Sequence, residues 1–108
     1  NIKPGRVGGL SNAIAIHDLA RDAGIPVWIG GMLESGLGHA ICVELATLDN
    51  FSYPGDLFPS TQYYEKDLCQ PPAVLTPRLT FKPHMEGLPV PDPAYLDTQT
   101  VGYKLITS

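Results

Sequence analysis

The chain has 108 residues, which suits one small domain, with 44% hydrophobic residues and a formal net charge of −4. That charge and the lack of a Lys/Arg cluster argue against nucleic-acid binding and an anionic membrane surface, and no apolar run approaches the ~20 residues that span a bilayer. The two cysteines, Cys42 and Cys69, lack the paired spacing of a metal site, so a reduced, cytoplasmic setting is expected.

The first 56 residues predict strands and helices in alternation. Asn1 to Lys3 is expected to be a strand end, because Pro4 cannot donate to a ladder and Gly5 can turn the chain. Since the sequence begins there, without a start methionine or a signal-type segment, it is expected to come from a longer chain. The later elements are expected at residues 11–23 (helix), 25–29 (strand), 37–48 (helix) and 51–54 (strand). This order predicts a parallel sheet with right-handed crossovers.

The helix at residues 11–23 has a start signal, a stop signal and one apolar side. Ser11 can cap its start, and Gly24 follows its end. The apolar side is expected to face the core and consists of Ala13, Ile16, Leu19, Ala20 and Ala23.

The strand at residues 25–29 leads into a glycine-rich stretch at residues 30–38. The short apolar run before it is typical of a strand that is buried on both faces. Four glycines in nine residues allow positive φ or a close approach of the backbone to a ligand. Glu34 stands near the start of the next helix, where the helix dipole favours a carboxylate. The stretch is either a functional loop of a βα unit or a turn and cap without chemistry.

Residues 57–108 differ in composition from the first half. Nine of the eleven prolines lie beyond residue 50. A long loop is expected at residues 57–72, with Tyr63 and Tyr64 as anchors. It is followed by pairing of 74–75 with 79–81, an extended piece at 88–93 and a last strand at 101–106. This part lacks an evident core of its own.

The three expected strands all end at residues that can carry chemistry. Lys3 follows the first, Met32 to Glu34 follow the second, and Asp56 follows the third. Parallel strands end at one rim, where barrel enzymes build their sites, so these residues are expected to lie together. Lys3 is then a candidate proton donor or acceptor, against the alternative of a solvated loop lysine. Asp56 is either a site residue or a turn aspartate after Pro-Gly.

The other candidates carry weaker signals. His17, His39 and His84 lack ligand spacing and are expected at the surface or at the edge of the core. Residues 5–9 contain three glycines, but without the spacing of a dinucleotide-binding turn. Arg6 in that loop either holds an anionic group or lies in water.

Two long motifs, in this order and at this spacing, resemble the enolase superfamily. The first is NIKPGRVGG at residues 1–9, and the second is GIPVW at 24–28 followed by GGMLESGLG at 30–38. PGD at residues 54–56 and YEKDL at 64–68 fit the same pattern. Within the superfamily the chain resembles the muconate-cycloisomerase subgroup, and there it is most similar to o-succinylbenzoate synthases and N-acylamino acid racemases.

This resemblance implies an α/β fold that is the C-terminal part of a (β/α)7β, TIM-like barrel. Residues 1–56 would supply its last strands and helices as βαβαβ. Residues 57–108 would form a loop and a C-terminal tail that packs toward a capping domain. The implied chemistry begins with removal of the proton α to a carboxylate and passes through an enediolate stabilised by Mg²⁺ or Mn²⁺.

The resemblance also assigns roles to single residues. Lys3 matches the catalytic lysine at the end of the sixth strand, opposite a Lys-x-Lys motif of the second strand. The residues that match substrate-binding positions after the seventh and eighth strands are Gly30, Gly31, Met32, Glu34 and Asp56. The Lys-x-Lys motif and the three acidic metal ligands belong to earlier strands, and nothing here replaces them. The metal ligands are therefore expected outside this chain, and the chain alone is expected to be inactive.

The expected partners are a small carboxylate substrate and further copies in a homo-oligomer, with no nucleic acid and no membrane. The expected reaction is dehydration by an o-succinylbenzoate synthase, N-acylamino acid racemisation, or both. One alternative is a muconate cycloisomerase. Another is a dipeptide epimerase, which would favour an acidic residue two positions after Asp56, where Phe58 stands. The third is a non-catalytic fragment.

Overall fold

A computed structural model describes residues 1–84 and 86–106 of the chain. Its helical elements, in chain order, are α1 (Pro4–Val7), α2 (Leu10–Asp22), α3 (Gly36–Leu45), a 3₁₀ turn (Ser60–Gln62) and α4 (Pro93–Gln99). Within the described residues, none of these helices is long and apolar enough to cross a membrane.

Three neighbouring β-type segments lie before α1, between α2 and α3, and after α3. Their pairings are Ile2 with Ile29, Val27 with Phe51, and Gly30 with Asp56, and all three are parallel. The order of the elements and the parallel direction agree with the prediction for residues 1–56. Each pairing is a single bridge, so over the described residues the segments do not extend into longer ladders.

The loop after Lys3 is more ordered than the sequence predicted. Pro4 occupies the first turn of α1, where its preset φ fits and its missing N–H is not needed. Gly8 ends the helix with φ of 88°, a left-handed conformation that favours glycine. Gly9 then stands at the cap position of α2, without a side-chain cap. The predicted cap at Ser11 is therefore wrong, because Ser11 lies inside the first turn.

The buried side of α2 is rotated relative to the prediction. Ala13 and His17 are its buried residues, whereas Leu19 is 71% exposed. His17 fits inside because its ring has polar partners: Nε2 accepts from the Asn50 N–H at 3.2 Å, and Nδ1 lies 2.9 Å from Asp18 Oδ1. A buried ring with such partners avoids most of the desolvation cost of a polar group. The expectation of a surface or core-edge position for His17 is therefore wrong.

The segment at residues 25–29 is buried on one face only. Val27 and Ile29 point toward the helices and are buried, while Trp28 is exposed on the opposite face, where its ring meets Tyr53 edge-on at 6.1 Å between centroids. This follows from the alternation of side chains along a β-type segment. The predicted burial on both faces is therefore wrong for the described residues.

The core lies between the β-type segments and helices α2 and α3. It is a single cluster of buried side chains, with further apolar side chains packed against it. Its buried members are Ile2, Ala13, Val27, Ile29, Cys42 and Leu45. α3 contributes to it but ends at Leu45, earlier than the predicted residue 48.

The tail differs most from the prediction. The strand expected at residues 101–106 is not formed, and α4 lies just before it. Asp92 caps α4 by accepting hydrogen bonds from Ala94 N and Tyr95 N. The expected pairing around residue 77 is only a turn, closed by Thr76 N donating to Thr80 O at 3.0 Å. Two distant parts of the tail meet where Cys69 and Pro91 form an antiparallel bridge.

Candidate active site

The ends of the three parallel segments converge on the Lys3 side chain. Lys3 Nζ donates to the Gly31 carbonyl at 2.9 Å and lies 3.8 Å from Asp56 Oδ2. Backbone bonds hold the segments in register there, with Gly31 N donating to Asp56 O at 3.0 Å. The side chain of Lys3 is 27% exposed and that of Asp56 is 53% exposed. The structure thus brings together one residue from each predicted segment end, on a rim open to a ligand.

The two glycines of this rim allow other groups to pack close to the loop backbone. A Cβ on Gly30 would lie 2.6 Å from Oδ1 of Asn1, and one on Gly31 would lie 3.3 Å from Cδ2 of Leu57. Real side-chain atoms do not approach at the first distance, so Gly30 lets two segment ends come together. This packing keeps the Gly31 carbonyl within reach of Lys3.

Met32 and Glu34 form the outer part of the same loop. Met32 is 45% exposed, while Glu34 folds back so that its Oε1 accepts from the Met32 N–H at 3.0 Å. A Cβ on Gly38 would collide with the other carboxylate oxygen of Glu34. On the α1 side, the Cβ position of Gly5 is 3.8 Å from Cγ of Met32. Glu34 therefore braces the loop backbone, and Met32 faces outward beside α1.

Two tail residues that sequence reasoning did not assign to the site hold this loop from the other side. Tyr64 donates its hydroxyl to the Leu33 carbonyl at 2.6 Å, and Asp67 Oδ2 accepts from the Gly36 N–H at 2.7 Å. Asp67 lies 31 residues beyond Gly36, and no local spacing pattern indicates the pair. Two signals were available in the sequence: YEKDL at residues 64–68, which the resemblance had already singled out, and the prediction of Tyr64 as an anchor of the loop at residues 57–72.

The two cysteine thiols and His39 are buried, and burial shifts the pKa of each toward its neutral form. Burial raises the pKa of the Cys42 thiol from 9.0 to about 11, with a smaller contribution from the Glu34 charge. Burial also raises the pKa of Cys69, so both groups stay protonated near neutral pH. Burial, and then the charge of His84, lower the pKa of His39, whose ring lies edge-on to Phe81 at 4.2 Å. His39 is thus a neutral interior residue, and its expected surface or core-edge position is wrong.

The residues of this rim do not fit a metal ion by themselves. Over residues 1–84 and 86–106, no three His, Cys, Asp or Glu side chains are grouped as metal ligands. The Asp56 carboxylate faces the Lys3 ammonium, and Glu34 Oε1 is engaged by a backbone N–H. A hard divalent cation needs several oxygen ligands, which these two carboxylates do not supply.

A cavity of about 510 Å³ lies between α3, residues 54–57 and residues 75–83 of the tail, next to the rim segments. Its lining is mostly apolar and includes Val43, Leu75 and Phe81. Lys3, Gly31 and Asp56 are absent from that lining. The rim is therefore the better candidate for chemistry, because its polar groups converge.

The sequence profile described as "Enolase C-terminal domain-like" matches residues 1–88. The chain belongs to this family. The o-succinylbenzoate synthase of Geobacillus kaustophilus is 47% identical over 88 residues, covering 82% of this chain and 24% of the relative. The N-succinylamino acid racemase of Amycolatopsis sp is 54% identical over 71 residues, covering 66% of this chain and 19% of the relative. A crystal structure of an enolase-superfamily member from Listeria innocua Clip11262 has a TM-score of 0.73 at 32% identity, over 91% of this chain and 27% of its own.

Membership in the enolase C-terminal domain-like family confirms the resemblance inferred from the two motifs. The likeness to the Listeria innocua structure supports an α/β, enolase-like fold. The chain spans about a quarter or less of the length of the two curated relatives. The roles of Lys3, Met32, Glu34 and Asp56 stay predictions, to be tested by substitution.

Proposed function

We propose that this chain forms one side of the active site of an enolase-superfamily enzyme that removes the proton α to a carboxylate. Lys3 is the acid–base group. The observation that carries the proposal is the position of Lys3 Nζ, 2.9 Å from the Gly31 carbonyl and 3.8 Å from Asp56 Oδ2 at the rim. A lysine held there between fixed partners points its amine at the place where a ligand enters.

The Lys3 amine has a different role in each of the two activities that the curated relatives are named for. In racemisation of one enantiomer, the neutral amine of Lys3 accepts the α-proton from its face of the substrate, and an acid outside this chain delivers a proton to the opposite face. For the other enantiomer the roles are reversed, and the Lys3 ammonium donates the proton. In dehydration, the ammonium stabilises the negative charge that develops on the substrate carboxylate. In both cases the Gly31 carbonyl accepts a hydrogen bond from Nζ, and the Asp56 carboxylate lies beside it, so that the two groups orient the amine.

The substrate class is a small carboxylate with an apolar substituent. Two exposed apolar side chains are close to the rim residues along the chain, because Met32 directly follows Gly31 and Phe58 is two residues after Asp56. Gly30 and Gly31 leave the floor of the rim free of side chains. The two named relatives, a synthase and a racemase, favour these reactions over a muconate cycloisomerase, a dipeptide epimerase or a non-catalytic role.

The family resemblance implies Mg²⁺ or Mn²⁺, and the rim residues do not fit either ion by themselves. In our proposal the ligands lie outside this chain, and the steps above use only groups of the chain. The substrate, the homo-oligomer predicted from sequence and the activity belong to the whole enzyme, of which this chain would be one part.

The test is Lys3→Ala in the full-length enzyme, with Mg²⁺ present. Each enantiomer of an N-succinylamino acid is incubated in D₂O, and turnover and exchange of the α-proton are measured. A positioned acid–base group contributes about 10²–10⁴-fold in rate, or ~3–5 kcal/mol of barrier, so racemisation should be lost while substrate binding changes far less.

The matched control is Lys82→Ala, which removes an exposed lysine of the tail. It should leave turnover and exchange unchanged. Wild-type exchange from both faces of the substrate in Lys3→Ala would refute the role of Lys3.

A further inference from the structure

The Asp67 carboxylate is buried and is held by backbone N–H groups. Asp67 is 3% exposed, and its two oxygens accept from Gly36 N at 2.7 Å and from Cys69 N at 2.6 Å. A buried carboxylate is unfavourable unless its oxygens are hydrogen-bonded. The bond from Cys69 N fixes the carboxylate within the tail, and the bond from Gly36 N joins the tail to the start of α3. Ser35, the N-cap residue of α3, makes no side-chain cap hydrogen bond. The Asp67 carboxylate caps the helix instead, because it accepts a hydrogen bond from the N–H of Gly36, the first residue of α3.

The absence of a side chain at Gly36 makes room for the Asp67 carboxylate. A Cβ at Gly36 would lie 2.6 Å from Asp67 Oδ1, so only a glycine lets the carboxylate reach the first N–H of the helix. The negative charge also lies at the positive end of the α3 dipole. The two residues are therefore complementary across a separation of 31 residues.

Tyr64 makes a second tether, three residues before Asp67. Its hydroxyl donates to the Leu33 carbonyl at 2.6 Å. The segment at residues 64–67 thus holds the loop at Leu33 and again at Gly36. Between Leu33 and the rim the loop is short: Gly31, two residues before Leu33, is the residue whose carbonyl accepts from Lys3 Nζ.

We propose that Asp67 and Tyr64 are positioning residues: they hold the loop at residues 31–36 so that the Gly31 carbonyl orients the Lys3 amine toward one face of the substrate. The proposal rests on the proposed role of Lys3. It adds that Asp67 and Tyr64, whose hydrogen bonds go to the loop and not to Lys3, set the rate of proton transfer on the Lys3 face.

The test uses the full-length enzyme with Mg²⁺ and the two enantiomers of an N-succinylamino acid in D₂O. Tyr64→Phe removes only a partly exposed hydroxyl, and its matched control, Tyr63→Phe, removes the hydroxyl of the neighbouring ring. Asp67→Asn keeps one acceptor oxygen, and its control, Asp92→Asn, alters the cap of α4 in the same tail. Small displacements of a reacting group cost up to ~10²-fold in rate.

We expect α-proton exchange on the Lys3 face to fall about 10-fold in Tyr64→Phe and about 10–100-fold in Asp67→Asn. Exchange on the opposite face, KM and both control variants should change less than about threefold. Asp67→Ala should be slower than Asp67→Asn, because it removes the remaining acceptor.

Three outcomes decide the matter. Selective slowing on the Lys3 face, with the controls unchanged, supports the proposal. Equal slowing on both faces, in step with a lower folded fraction, overturns it in favour of a merely structural role. Wild-type exchange in Tyr64→Phe and Asp67→Asn also overturns it. If Lys3→Ala in the same assay retains exchange on both faces, the proposed function itself fails, and the two failures are thereby distinguished.

Discussion

Replacement of Gly36 by alanine tests how closely the Asp67 side chain packs against the start of α3. In a helix, alanine is normally favoured over glycine by about 0.5–1 kcal/mol. At this position, however, the new Cβ would lie 2.6 Å from Asp67 Oδ1 and 3.1 Å from Cβ of Cys69. Asp67 is held by two backbone N–H groups, so it can move aside only by giving up a hydrogen bond.

The expected loss of stability combines the cost of the lost hydrogen bond with the helix preference of alanine. A buried acceptor that loses its donor costs about 1–3 kcal/mol, and more when it is charged. After the helix preference of alanine is subtracted, Gly36→Ala should lower the free energy of unfolding by roughly 2 kcal/mol. For a domain of about 150–250 residues this corresponds to a Tm lower by about 4–8 °C.

The assay is thermal unfolding of the full-length enzyme, compared across Gly36→Ala, Asp67→Ala and the double variant. Once Asp67 is an alanine, the clash with its carboxylate is gone and only the 3.1 Å approach to Cβ of Cys69 remains, so Gly36→Ala should then cost much less stability. Gly102→Ala is the control, because no atom lies within 4 Å of a Cβ placed there. An unchanged or raised Tm for Gly36→Ala in the otherwise wild-type enzyme would refute the close contact with Asp67.

Three further predictions concern the site, a buried thiol and the surface. Met32→Ala should change KM and the preference among N-acyl substrates more than kcat, because Met32 lies on the exposed side of the rim; a selective loss of kcat would contradict this. Burial raises the pKa of the Cys42 thiol from 9.0 to about 11. The protonated thiol therefore contributes fully to the free energy of unfolding below pH 9, and this contribution is lost as the pH rises toward 11. Iodoacetamide should accordingly label it slowly at pH 8 unless urea is added, and rapid native labelling would exclude this burial. The isolated chain exposes Trp28, Leu33 and other large apolar side chains, so it should associate or aggregate, and a monodisperse 11.6 kDa monomer in sedimentation would count against this.

Local sequence patterns were sufficient to predict the alternation of elements and the grouping at the rim. The apolar runs and helix signals between residues 1 and 56 are short-range, and consecutive β–α–β units end their parallel segments at one edge. For that reason the three segment ends meet as expected, although the residue of the second segment that contacts Lys3 is Gly31 and not Met32. The direction of the pairing follows from the crossover helices, which the patterns also contained.

The tertiary structure alone decided which side of α2 is buried and what the tail does. His17 lies inside because Asn50, 33 residues away, supplies a hydrogen bond that no periodicity encodes. The same holds for Asp67, whose partner Gly36 is known only once the tail has packed against α3. Periodicity reports the average polarity of a face, whereas the placement of a buried polar group depends on a partner from elsewhere in the chain.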